Sequence, residues 1–168
     1  MRADLLIEPA LARCLQAVPA EPLLAPLVSP PLDFNHAMGF DLILEGFLAH
    51  HGRPRELVLA DASALVLAGD YCYAAGLVRV ARANDVFVVD ALASLVALSA
   101  GVVATGRQAE LPNMWLGTAA AVAACEDPVV RMRFAKAVHR ATHDRDPSGF
   151  AALAHDVVDP PDLKGVFA

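Results

Sequence analysis

The chain has 168 residues, of which 57% are hydrophobic and 19% charged, and its net charge at pH 7 is −6. This length fits one domain with a substantial core, and the hydrophobic content exceeds that of an average soluble domain. The negative charge and the lack of a basic run argue against a nucleic-acid-binding surface. The three cysteines have no C-x-x-C spacing, so we predict reduced, buried thiols in a cytoplasmic protein.

The N-terminal third predicts one helix, a connector and a second helix. The first helix covers residues 3–18 and is interrupted by Pro9. Because Asp4 and Glu8 come early and there is no clean apolar run, we predict no signal peptide. Residues 19–31 are rich in proline and are expected to form an extended surface connector. Asp33 or Asn35 is the predicted cap of the next helix, which Gly52 and Pro54 end.

Two long apolar helices are predicted next, over residues 57–83 and 86–105, the first starting near Arg55 and the second capped by Asn84-Asp85. Because they are apolar on nearly every side, we expect them at the centre of the fold rather than facing water. The second has the length of a membrane span and a single charge, Asp90, but it lacks aromatic anchors. We therefore predict a buried helix and no membrane span.

The C-terminal third predicts helices near residues 114–125 and 128–143, a short last helix, and a flexible tail over residues 158–168. No strand alternation is sustained over a hairpin. The predicted fold is all-α: a single helical domain over residues 1–168, with about seven helices and two central apolar ones. Fully apolar helices in so small a protein favour a dimer.

Two motifs in the middle of the chain are separated by fourteen residues: Gly52-Arg53-Pro54 and Gly69-Asp70-Tyr71. With the acidic helix before them, they resemble the trans-isoprenyl (polyprenyl) diphosphate synthase family over roughly residues 40–105. The resemblance implies a truncated helical bundle of the isoprenoid synthase type. It also implies that Gly52, Pro54, Gly69, Asp70 and Tyr71 are a structural motif of that fold.

The same resemblance indicates that the family's diphosphate-binding residues are altered in this chain. The first and last carboxylates of the aspartate-rich motif fall on Asp41 and Glu45, while Leu42 replaces the second. The arginine pair falls on His50 and His51, which cannot grip a phosphate with the forked geometry of arginine. The implied remnant of the diphosphate and metal site comprises Asp41, Glu45, His50, His51 and Arg53.

Alternative interpretations of these acids remain open. Asp41 and Glu45 lie four residues apart on one helical face, where they could hold a weak Mg²⁺ ion or form a solvated helix face. Asp70 lies inside an apolar helix, so we expect a buried structural acid with a polar partner.

A second group of polar residues lies in the C-terminal third. His139 and His143 are one helical turn apart and are followed by Asp144. This spacing is found in transition-metal sites, and it would suit a metal-dependent hydrolase. A solvated polar helix face is the alternative.

The leading hypothesis is a non-catalytic, polyprenyl synthase-like accessory subunit or homodimer related to isoprenoid biosynthesis. It would pair with itself or with an active prenyltransferase through residues 57–83 and 86–105, with an apolar prenyl chain as a candidate ligand. One alternative is a weak Mg²⁺-dependent prenyltransferase that uses Asp41 and Glu45. The other is the hydrolase centred on His139, His143 and Asp144. Mg²⁺ is the candidate cofactor of the prenyltransferase, and a transition metal is that of the hydrolase.

Overall fold

A computed structural model describes residues 1–167, and in this part of the chain the fold is all-α, as predicted. There are nine α-helices, six of them with seven or more residues, and one 3₁₀ turn at Gln108–Glu110. The helices are α1 Arg2–Ile7, α2 Pro9–Ala12, α3 Ala25–Val28, α4 Phe34–His51, α5 Ala62–Ala81, α6 Val86–Ala104, α7 Leu111–Ala123, α8 Pro128–His143 and α9 Ser148–Ala154.

Aspartate side chains begin four of the five long helices. Asp33, Asp61, Asp85 and Asp127 each accept a hydrogen bond from a backbone N–H in the first turn of α4, α5, α6 and α8. Asp33 was one of the two predicted candidates for the cap of α4, and Asp85 belongs to the predicted cap of α6. The start of α5 was predicted near Arg55 and lies instead at Ala62. The residues before it are extended, because Leu57 forms an antiparallel bridge with Leu15.

The central helices are α4 and α7, and the prediction that α5 and α6 occupy the centre is wrong. Twelve of the eighteen residues of α4 and ten of the thirteen residues of α7 are buried. Only five of twenty residues in α5 and six of nineteen in α6 are buried. Trp115 of α7 and Phe47 of α4 meet in the core with their ring centroids 5.4 Å apart.

Helices α4 and α5 approach each other so closely that glycine is required where they touch. A Cβ atom on Gly76 would lie 2.6 Å from a side-chain carbon of Ile43 and 2.8 Å from the backbone oxygen of Gly39. A Cβ atom on Gly46 would lie 2.9 Å from the backbone oxygen of Gly69. The two backbones are therefore in direct contact at two levels.

Two segments that were predicted to lie loosely on the surface contribute to the core. In the proline-rich connector, α3 is formed, and Leu24, Ala25 and Val28 are fully buried. In the predicted flexible tail, Leu163 is buried and Phe167 packs against Phe47 and Trp115, with both centroid distances 6.0 Å. The apolar residues among the prolines and in the tail explain the difference, because each fills space beside α4 and α7.

Candidate functional site

The first predicted site residue, Asp41, is a buried anchor for the connector. Its carboxylate is fully buried and accepts hydrogen bonds from the backbone N–H groups of Leu23 (2.7 Å), Leu24 (3.2 Å) and Ala25 (2.8 Å). The guanidinium of Arg55 lies 3.7 Å from the same carboxylate. Asp41 thus holds the beginning of α3 against α4.

Glu45, one turn further along α4, is a buried anchor for the segment between α4 and α5. It is 1% exposed and accepts hydrogen bonds from the backbone N–H groups of Arg55 (2.9 Å), Glu56 (2.7 Å) and Leu57 (3.2 Å). The alternative that Asp41 and Glu45 form a solvated helix face is therefore wrong. The donors come from segments 10 to 18 residues away in the chain.

A third buried carboxylate, Glu56, was not identified from the sequence. It accepts hydrogen bonds from the backbone N–H of Ala20 (3.0 Å) and from the guanidinium of Arg2 (3.2 Å). The backbone carbonyl of Glu56 accepts a hydrogen bond from the N–H of Gln16, and the N–H of Val58 donates to the carbonyl of Cys14. In the sequence Glu56 stands between Arg55 and Leu57, and this context has no specific meaning by itself.

Burial controls the proton affinity of the two acids on α4. Desolvation raises the pKa of Asp41 and of Glu45 above the ordinary value, and it outweighs the backbone N–H groups and Arg55, which act in the opposite direction. Mg²⁺ prefers an octahedral shell of oxygens and usually keeps several waters. Carboxylates that are buried and already accept six backbone hydrogen bonds between them do not fit this ion.

The residues of the implied diphosphate remnant are dispersed around the C-terminal end of α4. His50 stacks on Tyr73 with a centroid distance of 5.3 Å, and its Nε2 lies 3.2 Å from a carboxylate oxygen of Asp70. His51 packs against Phe47, and burial lowers the pKa of this imidazole. Arg53 is exposed in the following loop.

The Gly52–Tyr71 motif serves the packing of α4 and α5. Gly52 caps α4, and its N–H donates to the carbonyl of Leu48. A Cβ atom on Gly69 would lie 2.5 Å from the ring of His50. The hydroxyl of Tyr71 donates to the backbone carbonyl of Asp4, which ties α1 to α5.

The predicted environment of Asp70 is wrong. Its side chain is 65% exposed, and its partner is His50. Asp70 reaches His50 of α4 from a position that leaves most of its side chain in water, so this acid keeps its hydration although its sequence neighbours are apolar.

The histidines of α8 form a stacked pair on the surface. The rings of His139 and His143 lie 4.2 Å apart, and Nδ1 of His143 is 3.1 Å from the carbonyl oxygen of His139. Asp144 is the exposed C-cap of α8. Among residues 1–167, no group of three or more histidine, cysteine, aspartate or glutamate side chains is arranged to hold a metal ion.

The outward sides of α5 and α6 expose mostly apolar and small residues. The outward face of α5 carries one charged residue, Asp70, and several large aliphatic side chains. These are Val66, Leu67, Leu77 and Val78, with exposures between 39% and 70%. By length and composition alone, α5 and α6 are each apolar enough to cross a membrane, a property that core helices of soluble proteins share.

The exposed residues of α6 recur every three or four positions, so they share one face of the helix. This face is smooth because most of these residues are small. They are Val86, Asp90, Ala93, Ala97, Gly101 and Ala104. A Cβ atom on Gly101 would meet nothing within 4 Å. We take the outward faces of α5 and α6 as the candidate interaction surfaces.

Comparison of the chain with protein-family models, with curated proteins and with solved structures found no match.

Proposed function

We propose that the protein is a non-catalytic helical subunit of the polyprenyl diphosphate synthase type, which binds another helical chain through the outward faces of α5 and α6. The partner is a second copy or an active prenyltransferase. The observation that carries the proposal is the exposure of Val66, Leu67, Leu77 and Val78 on one face of α5.

Four large aliphatic side chains are exposed together on one face of α5. Isolated surface leucines and valines are common, but a continuous apolar patch marks a site of interaction. Leu67 is 70% exposed and Val78 is 54% exposed, and they share one face of α5 with Val66 and Leu77. Covering this face with another helix would remove these side chains from water.

The buried carboxylates support a non-catalytic role. In a site that binds metal and diphosphate, carboxylates must reach the ion, and cationic groups must reach the phosphates. Here Asp41 and Glu45 accept backbone hydrogen bonds inside the protein, and His50 pairs with Asp70. These residues connect helices and loops within the protein, which is a structural role.

The proposal is tested by affinity capture with the tagged protein from lysate of its own cells, with the captured chains identified by mass spectrometry. We expect the untagged chain itself or a prenyltransferase to be captured. Leu67→Asp and Leu77→Asp should abolish capture, because each places a charge in the apolar face. Val158→Asp is the matched control, since Val158 is 83% exposed and lies outside α5 and α6.

A wild-type protein that is monomeric and captures neither chain would refute the proposal. Capture that persists in both aspartate variants would place the contact elsewhere and would refute the assignment of the faces.

A further inference from the structure

We infer that the cavity between the C-terminal end of α4, the 3₁₀ turn and the C-terminal segment binds a neutral aromatic ring with a carbonyl group at one end and a hydroxyl group at the other. The cavity has a volume of about 320 Å³. Small-molecule sites begin at about 300 Å³, so there is room for a small ring system. The cavity shares no lining residue with the outward faces of α5 and α6, so the inference goes beyond the proposed function and does not depend on it.

The walls of the cavity are apolar and partly aromatic. Phe47 and Phe167 meet edge to face with their ring centroids 6.0 Å apart, and the imidazole of His51 lies 4.8 Å from the ring of Phe47. The remaining apolar side chains of the wall are aliphatic: Leu48, Val103, Leu111 and Val166. Aromatic rings attract one another in offset and edge-to-face arrangements that an aliphatic group does not reproduce. These walls therefore favour a flat aromatic ring.

The side chains that line the cavity carry no formal charge at pH 7. Burial, with a smaller contribution from His50, lowers the pKa of the imidazole of His51 below its ordinary value, so this ring is neutral at pH 7. Gln108 is the other polar side chain of the lining. A charged ligand would lose its hydration in the cavity without gaining an ion pair. The cavity therefore selects an uncharged molecule and does not suit a phosphate or a diphosphate.

Trp115 lies at the inner end of the cavity and requires an acceptor there. It follows the lining residue Leu111 by four positions on the same face of α7, and its ring centroid is 5.4 Å from that of Phe47 and 6.0 Å from that of Phe167. The indole is fully buried, and its Nε1–H has no hydrogen-bond acceptor among residues 1–167. Buried donors are nearly always paired, because an unpaired one is destabilising. A ligand carbonyl at the inner end would accept this hydrogen bond.

The mouth of the cavity offers a second polar contact. Gln108 and His51 are both exposed to water and line the cavity. A side-chain amide and a neutral imidazole can each donate and accept a hydrogen bond, as a hydroxyl group does. A ring with its carbonyl beside Trp115 and a hydroxyl at the opposite end would therefore use both polar ends of the cavity.

The test is a titration of ¹⁵N-labelled protein at pH 7, followed by nuclear magnetic resonance. The chain has one tryptophan, so the indole N–H of Trp115 gives a single signal. The probe is para-hydroxyacetophenone. We expect it to move the indole signal downfield, as a new hydrogen bond does, with a Kd of about 1 mM, which is ordinary for a ligand of this size.

Three related probes each lack one feature of the ligand. The compound para-ethylphenol lacks the carbonyl and should bind at least about tenfold more weakly, without the downfield shift. The saturated-ring analogue of the ketone keeps both polar groups and should bind at least about fivefold more weakly, because it lacks the aromatic ring. Acetophenone lacks only the hydroxyl and should bind about threefold to tenfold more weakly.

A variant at the mouth tests the outer contact without disturbing the core. Gln108→Ala should weaken the binding of para-hydroxyacetophenone about threefold and leave the binding of acetophenone unchanged, because only the first ligand has a hydroxyl for the amide. Asn113→Ala, which removes an exposed amide outside the cavity, is the matched control and should change neither affinity.

A second variant fills the cavity. Val103→Phe should weaken the binding of para-hydroxyacetophenone at least about tenfold, because the larger side chain occupies the space of the ligand. Val96→Phe makes the same change two turns earlier on α6, outside the cavity, and should leave the affinity within about twofold of the wild type. Circular dichroism and the Tm check that both variants are folded. If Val103→Phe does not fold, the comparison of Gln108→Ala with Asn113→Ala decides.

Four results would overturn the inference. The first is the absence of a saturable shift of the indole signal up to about 10 mM para-hydroxyacetophenone. The second is equal affinity for the saturated-ring analogue or for para-ethylphenol, which would refute the class of ligand. The third is a folded Val103→Phe protein that binds like the wild type, and the fourth is equal loss of affinity in Gln108→Ala and Asn113→Ala; either would refute the location. Capture of another chain by α5 is measured separately, so the proposed function and this inference fail independently.

Discussion

Replacement of Glu45 by alanine should cost about 3 kcal/mol of unfolding free energy. The change removes the acceptor for three backbone N–H groups, those of Arg55, Glu56 and Leu57, and leaves them buried. Each unsatisfied buried group costs about 1–3 kcal/mol, and loss of one partner of a buried charged interaction costs about 3–5 kcal/mol. The desolvation that raises the pKa of Glu45 is relieved at the same time, which places the expected loss at the lower end.

The measurement is urea unfolding of the wild type and variants, followed by circular dichroism, with comparison of midpoints at constant slope. Glu45→Gln should lose less, about 1 kcal/mol, because it keeps one acceptor oxygen and the same shape. Glu126→Ala is the control at an exposed glutamate and should stay within about 0.5 kcal/mol of the wild type. A Glu45→Ala protein as stable as the wild type, or more stable, would refute the anchoring role and favour a residue kept for function at the expense of stability.

Three further tests concern the pKa of Glu45, the contact of Gly76 with α4, and the packing of Phe167. Because burial raises the pKa of Glu45 above 4.5, its protonation stabilises the fold fully below pH 4.5, and this contribution is lost as the pH rises through the folded-state pKa. Relative to Glu45→Gln, the wild type should therefore lose stability with rising pH, and parallel profiles would contradict this. Gly76→Ala should destabilise by about 1–3 kcal/mol through overpacking, while Gly101→Ala should stabilise α6 by up to about 1 kcal/mol; equal effects in thermal unfolding would contradict the close contact. Phe167→Ala should cost about 1 kcal/mol and change the fluorescence of Trp115, and an unchanged emission spectrum would contradict packing of the segment.

Local features of the fold were predictable from the sequence. The caps at Asp33 and Asp85 follow from residues within one turn of the helix start, and the end of α4 follows from Gly52. The all-α class follows from helical spacing of apolar residues and the lack of sustained alternation.

Features that depend on distant parts of the chain were not predictable in the same way. Hydropathy alone favoured α5 and α6 as central helices, because it does not reveal which elements compete for the interior. Helix α4 occupies the centre although it carries Asp41 and Glu45, because both acids accept hydrogen bonds from backbone N–H groups of distant loops. The sequence does not show that these loops lie beside α4. Asp70 was expected to be buried because its sequence neighbours are apolar, but most of its side chain is exposed to water.

The direct backbone contact between α4 and α5 has a consequence for how the molecule opens. Gly39 and Gly46 meet Gly76 and Gly69 without intervening side chains, so neither helix can slide or separate by rotamer changes alone. The two helices should therefore unfold together as one cooperative unit. Hydrogen–deuterium exchange at the backbone amides of Cys72 in α5 and Phe47 in α4 should therefore report a single opening free energy, equal at both amides.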